Sequence, residues 1–253
     1  MTLIGALTVM AVLAPLLTPY DPDVQLDLAT KQLVSPSLQH PFGTDFYSRD
    51  LLTRVLFGTR ISLSIAFFSI VVSVTIGTAI GMLAGNAGGF VDTVLMRGVD
   101  AALAIPRVIL LLVVLALADN VSVLGLTIVL GLTSWFGTSR IVRAEVLSLR
   151  ARDFIVAANS LGIGTWRLIL RHLLPNAIAP VIVAATLGMG YIILLEAGLS
   201  YLGAGVSPPT ASLGRMISQG WEHILTAPWV SIFPGLVIVI TVIGFSLVGD
   251  GLR

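Results

Sequence analysis

Long apolar runs separated by short polar stretches organise this chain. They cover residues 3–17, 61–83, 101–118, 121–137, 177–199 and 229–248. A helix needs about 20 apolar residues to cross roughly 30 Å of hydrocarbon, so each run is close to a membrane span. Six spanning helices are predicted. The first run is the shortest. It has no basic residue ahead of it, and Ala11-Val12-Leu13-Ala14-Pro15 is a poor cleavage signal, so it reads as an uncleaved first span. Asp119-Asn120 divides the third run from the fourth and predicts a tight polar turn. Pro106, Pro180 and Pro234 mark expected kinks or helix ends, with nearby glycines easing helix contact.

Composition supports lipid as the solvent. Hydrophobic residues make up 56% and charged residues 11% of the chain, and mean hydropathy is +1.01. A soluble domain carries about 25% charged residues. The absence of cysteine excludes disulfides, thiolate zinc sites and cysteine nucleophiles.

A net charge of +1 hides an uneven distribution. Arg140, Arg143, Arg150, Arg152, Arg167 and Arg171 crowd between the fourth and fifth runs. The positive-inside rule places that segment in the cytoplasm, and both termini with it. The stretches 19–59 and 203–228 then fall on the opposite face. The expected organisation is a first helix with an extracytoplasmic segment over 1–60, then a five-helix core over 61–253. That core carries a cytoplasmic segment at 140–176 and an extracytoplasmic one at 203–228. Pro208-Pro209, Trp221 and Trp229 give the latter the character of a re-entrant or interfacial scoop.

The cytoplasmic segment is long for a connector and is itself patterned. From Asp153 to Pro175 two helix-forming stretches are broken at Gly162 and Gly164. Ile155, Ala158 and Leu161, three apart, predict an apolar stripe beside Asn159 and Ser160. Such a helix suits a groove on another protein. It equally suits lipid headgroups, with Trp166 and the arginines as anchors.

Ala157-Ala158, Gly162 and Leu174-Pro175 resemble the E-A-A-x3-G-x9-I-x-L-P loop of ABC-importer permeases, with Val156 in place of Glu and His172 in place of Ile. His40-Pro41-Phe42-Gly43-Thr44-Asp45, Arg49-Asp50, Arg54 and Gly58-Thr59-Arg60-Ile61-Ser62-Leu63 resemble the stretch before span two of dipeptide and oligopeptide permeases, Ser48 replacing a usual Gly. Glu196-Ala197-Gly198-Leu199-Ser200-Tyr201-Leu202-Gly203, Gly205-Val206 and Pro208-Pro209-Thr210 resemble the same family, as do Leu225-Thr226-Ala227-Pro228-Trp229, Phe233-Pro234-Gly235 and Gly249-Asp250-Gly251-Leu252-Arg253. The resemblance, covering nearly the whole chain, is to the second permease subunit of peptide-class importers, the DppC or OppC type.

It implies an all-α, six-helix polytopic protein with the type I ABC-importer permease fold, in a bacterial inner membrane. It also implies a homologous second permease subunit, two ABC ATPase subunits inside and a substrate-binding protein outside, with membrane lipid around and no nucleic acid. The chain's one lysine, Lys31, lies in Thr-Lys-Gln rather than a P-loop, so this chain cannot hydrolyse ATP by that route. The resemblance implies that ATP and Mg belong to the ATPase partners and that this chain is a transport subunit, not an enzyme. By resemblance the ATPase-coupling residues are Ala157, Ala158, Ser160, Leu161, Gly162, Arg167, Arg171 and Pro175. Ordinary positive-inside charge also accounts for each arginine.

Glu196 is the one clear carboxylate deep in an apolar run. Such groups line pathways or bond to neighbouring helices, and both readings stand for Glu196. His40, His172 and His223 show no metal-site spacing, so no metal is expected. Asp45 and Asp50 beside Arg49 and Arg54 read as ion pairs that hold a folded loop, or as a surface that receives the binding protein. Nickel-chelate or haem importers share the permease design and remain alternatives. A proton-coupled transporter would need more intramembrane carboxylates than Glu196.

Overall fold

The computed structural model describes residues 2–28, 30–118 and 120–252. The predicted apolar runs fall mainly on helix, the third being broken at residues 104–106, and no strand occurs among the described residues beyond an isolated bridge between Thr44 and Asp50. Thr2–Val12 (α1) and the short Ala14–Leu17 (α2) form the first run, interrupted where Pro15 enters. Leu51–Ala87 (α3) is 37 residues long and starts ten residues before the apolar run at Ile61. Gly89–Leu103 (α4) and Arg107–Ala116 (α5) form the third element, bent by 78° at a break that ends on Pro106. Val123–Arg150 (α6) follows. Of the Asp119-Asn120 turn, Asp119 lies outside the described residues.

After α6 come Asp153–Ser160 (α7), Thr165–Leu168 (α8), a π-helical segment Ile169–Leu173 and Leu174–Tyr201 (α9). The segment from Thr165 to Tyr201 is one continuous helix of 37 residues. The cytoplasmic segment expected at 140–176 is therefore mostly the extended ends of α6 and α9, and only residues 151–164 leave them. The π turn has a local cause. Pro175 has no N–H and its ring crowds the carbonyl four residues back, so the ladder opens and Leu174 N–H bonds to the Ile169 carbonyl instead. Pro180 and Pro234 lie inside α9 and α11 (Trp229–Gly251) rather than at their ends.

Contacts between helices reveal their directions. Ser69 Oγ donates to the Thr127 carbonyl at 2.8 Å, and Gly77, Gly81 and Gly85 meet Thr138, Ser139 and Val146 in turn. Residue numbers rise together on both helices, so α3 and α6 are parallel. The intervening α4–α5 pair must therefore return through the thickness of the bundle. Along α9 the order reverses, with Ser62 near Glu196 and Ile70 near Gly188. Gly190 of α9 lies near Val242 of α11, while Gly249 lies near Leu187, again antiparallel. Among the described residues three helices are alone long and apolar enough to cross a membrane, or four if the bent pair is one span. The alternating directions are compatible with six crossings.

Close approach explains the α3 glycines. A Cβ at Gly81 would stand 2.6 Å from the Ser139 carbonyl oxygen, so only a bare Cα fits. Small residues every four positions let two helix backbones meet where lipid offers no hydrophobic drive between them.

At the opposite end from α7, the stretch before α3 folds around buried charge. Asp50 caps α3, accepting from Thr53 N–H at 2.8 Å and Thr53 Oγ1 at 2.7 Å, while its other oxygen lies 2.8 Å from His40 Nδ1. Asp45 accepts from Arg49 Nε at 2.8 Å, and Arg54 donates to the Pro22 carbonyl at 2.7 Å. All six side chains are buried. The predicted ion pairs thus hold this loop together. Ser48 adopts φ +60°, the left-handed region that favours the glycine expected there. Leu213–Trp221 (α10) is wedged nearby, with Leu213 and Met216 packed on Leu51, Val55, Ala197 and Ile238.

Candidate functional site

The α7 turn is built from the end of α6. Arg152 is the N-cap and Asp153 sits in the first turn, where a carboxylate favours the helix dipole. The helix closes over Gly162. Ile163 N–H bonds to the Ala158 carbonyl at 3.3 Å and Gly162 N–H to the Asn159 carbonyl at 3.0 Å, a pair that requires a left-handed residue between them. Gly162 supplies it at φ +72°. The chain then reverses into α8.

The apolar stripe divides differently from its sequence spacing. Ile155 and Ala158 are buried against Val142, Val146, Leu149, Leu168, Ile169 and Leu173, so they anchor α7 to the bundle. Leu161 is on the other side, 82% exposed, with Val156 at 52% and Trp166 at 68%. Ala157 and Ser160 are also exposed, as are Arg167, Arg171 and Pro175. The structure therefore separates Ala158 from the other expected coupling residues. Its carbonyl and side chain serve the internal junction. Leu161 is the C-cap just past α7, outside the stripe that faces the bundle.

The three arginines of α6 are engaged within the chain. Arg143 grips Asp92 with two bonds, Nη2 to Oδ2 at 2.6 Å, and Arg140 pairs with Asp100. Arg150 donates to the carbonyls of Gly85 and Asn86 at 3.0 and 2.9 Å, capping the end of α3. Arg167 and Arg171 form no ion pair among the described residues.

Glu196 is 0% exposed. Ser62 Oγ of α3 donates to Oε2 at 2.6 Å, and Ser200 and Ser212 hydroxyls donate to Oε1 at 2.8 and 3.3 Å. The carboxylate joins α3, α9 and the residue before α10 and faces no opening of this chain. Of its two sequence readings, this geometry is that of a bond between neighbouring helices. No cluster of metal-ligating side chains occurs among the described residues.

Arg107, the first residue of α5, went unnoticed in the sequence because flanking Ile105 and Val108–Leu112 absorb it into an apolar run. The signal was a lone charge directly after Pro106. Its Nη2 reaches the Leu130 carbonyl at 3.3 Å, Thr133 Oγ1 at 3.5 Å and Ser134 Oγ, all on α6. The guanidinium carbon lies 5.4 Å from the ring centre of Tyr191 on α9.

Known proteins resemble this chain in sequence and in fold. The dipeptide transport system permease protein DppC of Alkalihalophilus pseudofirmus is 38% identical over 251 residues, 99% of this chain and 82% of that protein. Among solved structures, the MetNI methionine ABC transporter in inward-facing conformations has a chain that superposes with a TM-score of 0.66 at 19% identity, covering 80% of this chain and 95% of that one. An amino acid ABC transporter crystallised with histidines gives 0.59 at 18% identity, covering 79% and 92%. At such identities the structures establish the fold alone, that of ABC-importer permeases. Residues 77–253 match the family described as "Binding-protein-dependent transport system inner membrane component", and on that match the chain belongs to this family of multi-pass membrane transport components.

Proposed function

We propose that this chain is one permease subunit of an ATP-driven ABC importer of di- or oligopeptides. It forms half of the pathway with a homologous second permease. Two ATPase subunits dock at the α7 end, and a substrate-binding protein delivers cargo at the α10 end. The observation that carries the coupling role is α7 itself. It is an eight-residue helix held by Ile155 and Ala158, closed by Gly162, and it offers Val156, Ala157, Ser160 and Leu161 outward. A small apolar helix face of this kind suits a groove on a partner. Arg167 and Arg171 flank it, exposed, to meet acidic groups there.

Positive charge concentrated at this end favours a cytoplasmic location. Ile4 approaches Gly244, so the start of α1 lies near the end of α11, which supports the reading that both ends share the cytoplasmic face. The peptide cargo is inferred from the DppC relative, which matches 99% of the chain. ATP and Mg bind the partner ATPases.

Reconstitution of the chain with its co-purifying partners in liposomes tests the reading. ATP hydrolysis stimulated by binding protein with peptide, together with peptide uptake, is expected. Uptake driven by a proton gradient with no associated ATPase would refute it, and uptake of nickel chelates or haem in place of peptides would reassign the cargo.

A further inference from the structure

Arg107 lies at membrane depth. Thr133 is ten residues into α6 and Tyr191 ten residues before the end of α9, about 15 Å in from the same end by helix rise. The two helix ends lie together, since Val121 just before α6 lines one cavity with Leu202 and Gly203 just after α9. Half of a roughly 30 Å hydrocarbon layer is the same distance. A guanidinium there is costly against lipid tails and belongs against protein or a water-filled cavity.

Its surroundings are polar but uncharged. Among the described residues no carboxylate pairs with Arg107. The carbonyl of Leu130 and the hydroxyls of Thr133 and Ser134 hold one nitrogen, and Nε is buried without a partner. Tyr191 of α9, half of it exposed at 50%, flanks the charge. The cation is thus fixed in place by neutral groups from α6 and α9, with hydrogen-bonding capacity left over.

We infer that Arg107, flanked by Tyr191, Thr133 and Ser134, receives the carboxylate of a substrate passing through the membrane. Arginine presents paired donors matched to a carboxylate. A charge already held by neutral acceptors needs no permanent counter-ion, and it can bind an anion and release it, as a transport station must. The inference rests on the peptide-importer reading, because every free peptide carries a terminal carboxylate.

The test compares uptake of radiolabelled dialanine and dialanine amide by proteoliposomes of the full complex. The binding protein's own preference is common to all variants and cancels when ratios are compared. Arg107→Gln is expected to lower the free-acid-to-amide ratio of uptake by about tenfold or more, the worth of a charge-assisted hydrogen bond, through loss of free-acid uptake alone. Arg107→Lys is expected to assemble, to keep part of that preference and to raise the KM for the free acid only. Equal slowing of both substrates, or failure of both variants to assemble with the second permease, would overturn the inference and make Arg107 a structural clamp or a partner's ion pair. If only the glutamine variant fails to assemble, an unchanged KM ratio in the lysine variant overturns it. Absence of ATP-driven peptide uptake by the wild type would instead overturn the functional reading, and this inference with it.

Discussion

Placing serine at Gly162 and, separately, at Gly164 isolates backbone strain at the α7 turn. A Cβ at either position meets nothing within 4 Å, so steric clash contributes to neither. The backbones differ. Gly162 sits at φ +72°, where a side chain costs about 1–2 kcal/mol. Gly164 sits at φ −61° and ψ 145° as the N-cap of α8, a conformation in which serine is favoured. The same substitution should therefore weaken α7 at one site and be neutral or mildly favourable two residues on. A loss of 1–2 kcal/mol shifts a local opening equilibrium by roughly 5- to 30-fold. Hydrogen exchange at the Leu161, Gly162 and Ile163 amides reads it, since these bond to the Ala157, Asn159 and Ala158 carbonyls. Protection should fall by that factor in Gly162→Ser and hold in Gly164→Ser. Equal losses in the two variants would refute the assignment of strain to Gly162.

Ile155→Ala removes a fully buried anchor and should cost about 2–5 kcal/mol of packing, seen as loss of α7 exchange protection. Leu161→Ala, on the exposed side, should leave that protection intact while reducing co-purification of the ATPase. Gly81→Leu should lower the thermal stability of the detergent-solubilised protein, because its Cβ alone meets the Ser139 backbone, whereas Gly137→Ala, with open space around it, should not. Glu196→Leu leaves the Ser62, Ser200 and Ser212 hydroxyls without their acceptor. It should destabilise by about 1–3 kcal/mol for each hydroxyl left unpaired, with Glu196→Gln restoring much of it, measured by the same thermal assay.

Hydropathy marked every apolar segment that became helix, because a bilayer demands continuous apolar length and that demand is local to the chain. The turn at Gly162 was also readable, since a left-handed helix end selects glycine. The limits lay where a side chain's meaning depends on its neighbour. Ile155, Ala158 and Leu161 share a spacing, yet α7 ends before Leu161 and only the first two reach the bundle. Arg140, Arg143 and Arg150 looked like general cytoplasmic charge, but the parallel packing of α3 and α6 and the return of α4 bring each one a partner. Span five lengthened into the supposed loop because a π turn accommodates Pro175 without ending the helix.

What the sequence determined by itself was solvent, helical class and the family-like loops, all properties of contiguous residues. Only the tertiary structure decided that Glu196 closes a junction of α3, α9 and the start of α10 and that Arg107 stands between α6 and Tyr191 of α9. Those facts join residues 62, 196 and 212, and 107, 134 and 191. The energy of a buried charge is set by whatever other helices bring within bonding distance, and periodicity along one segment carries no record of that.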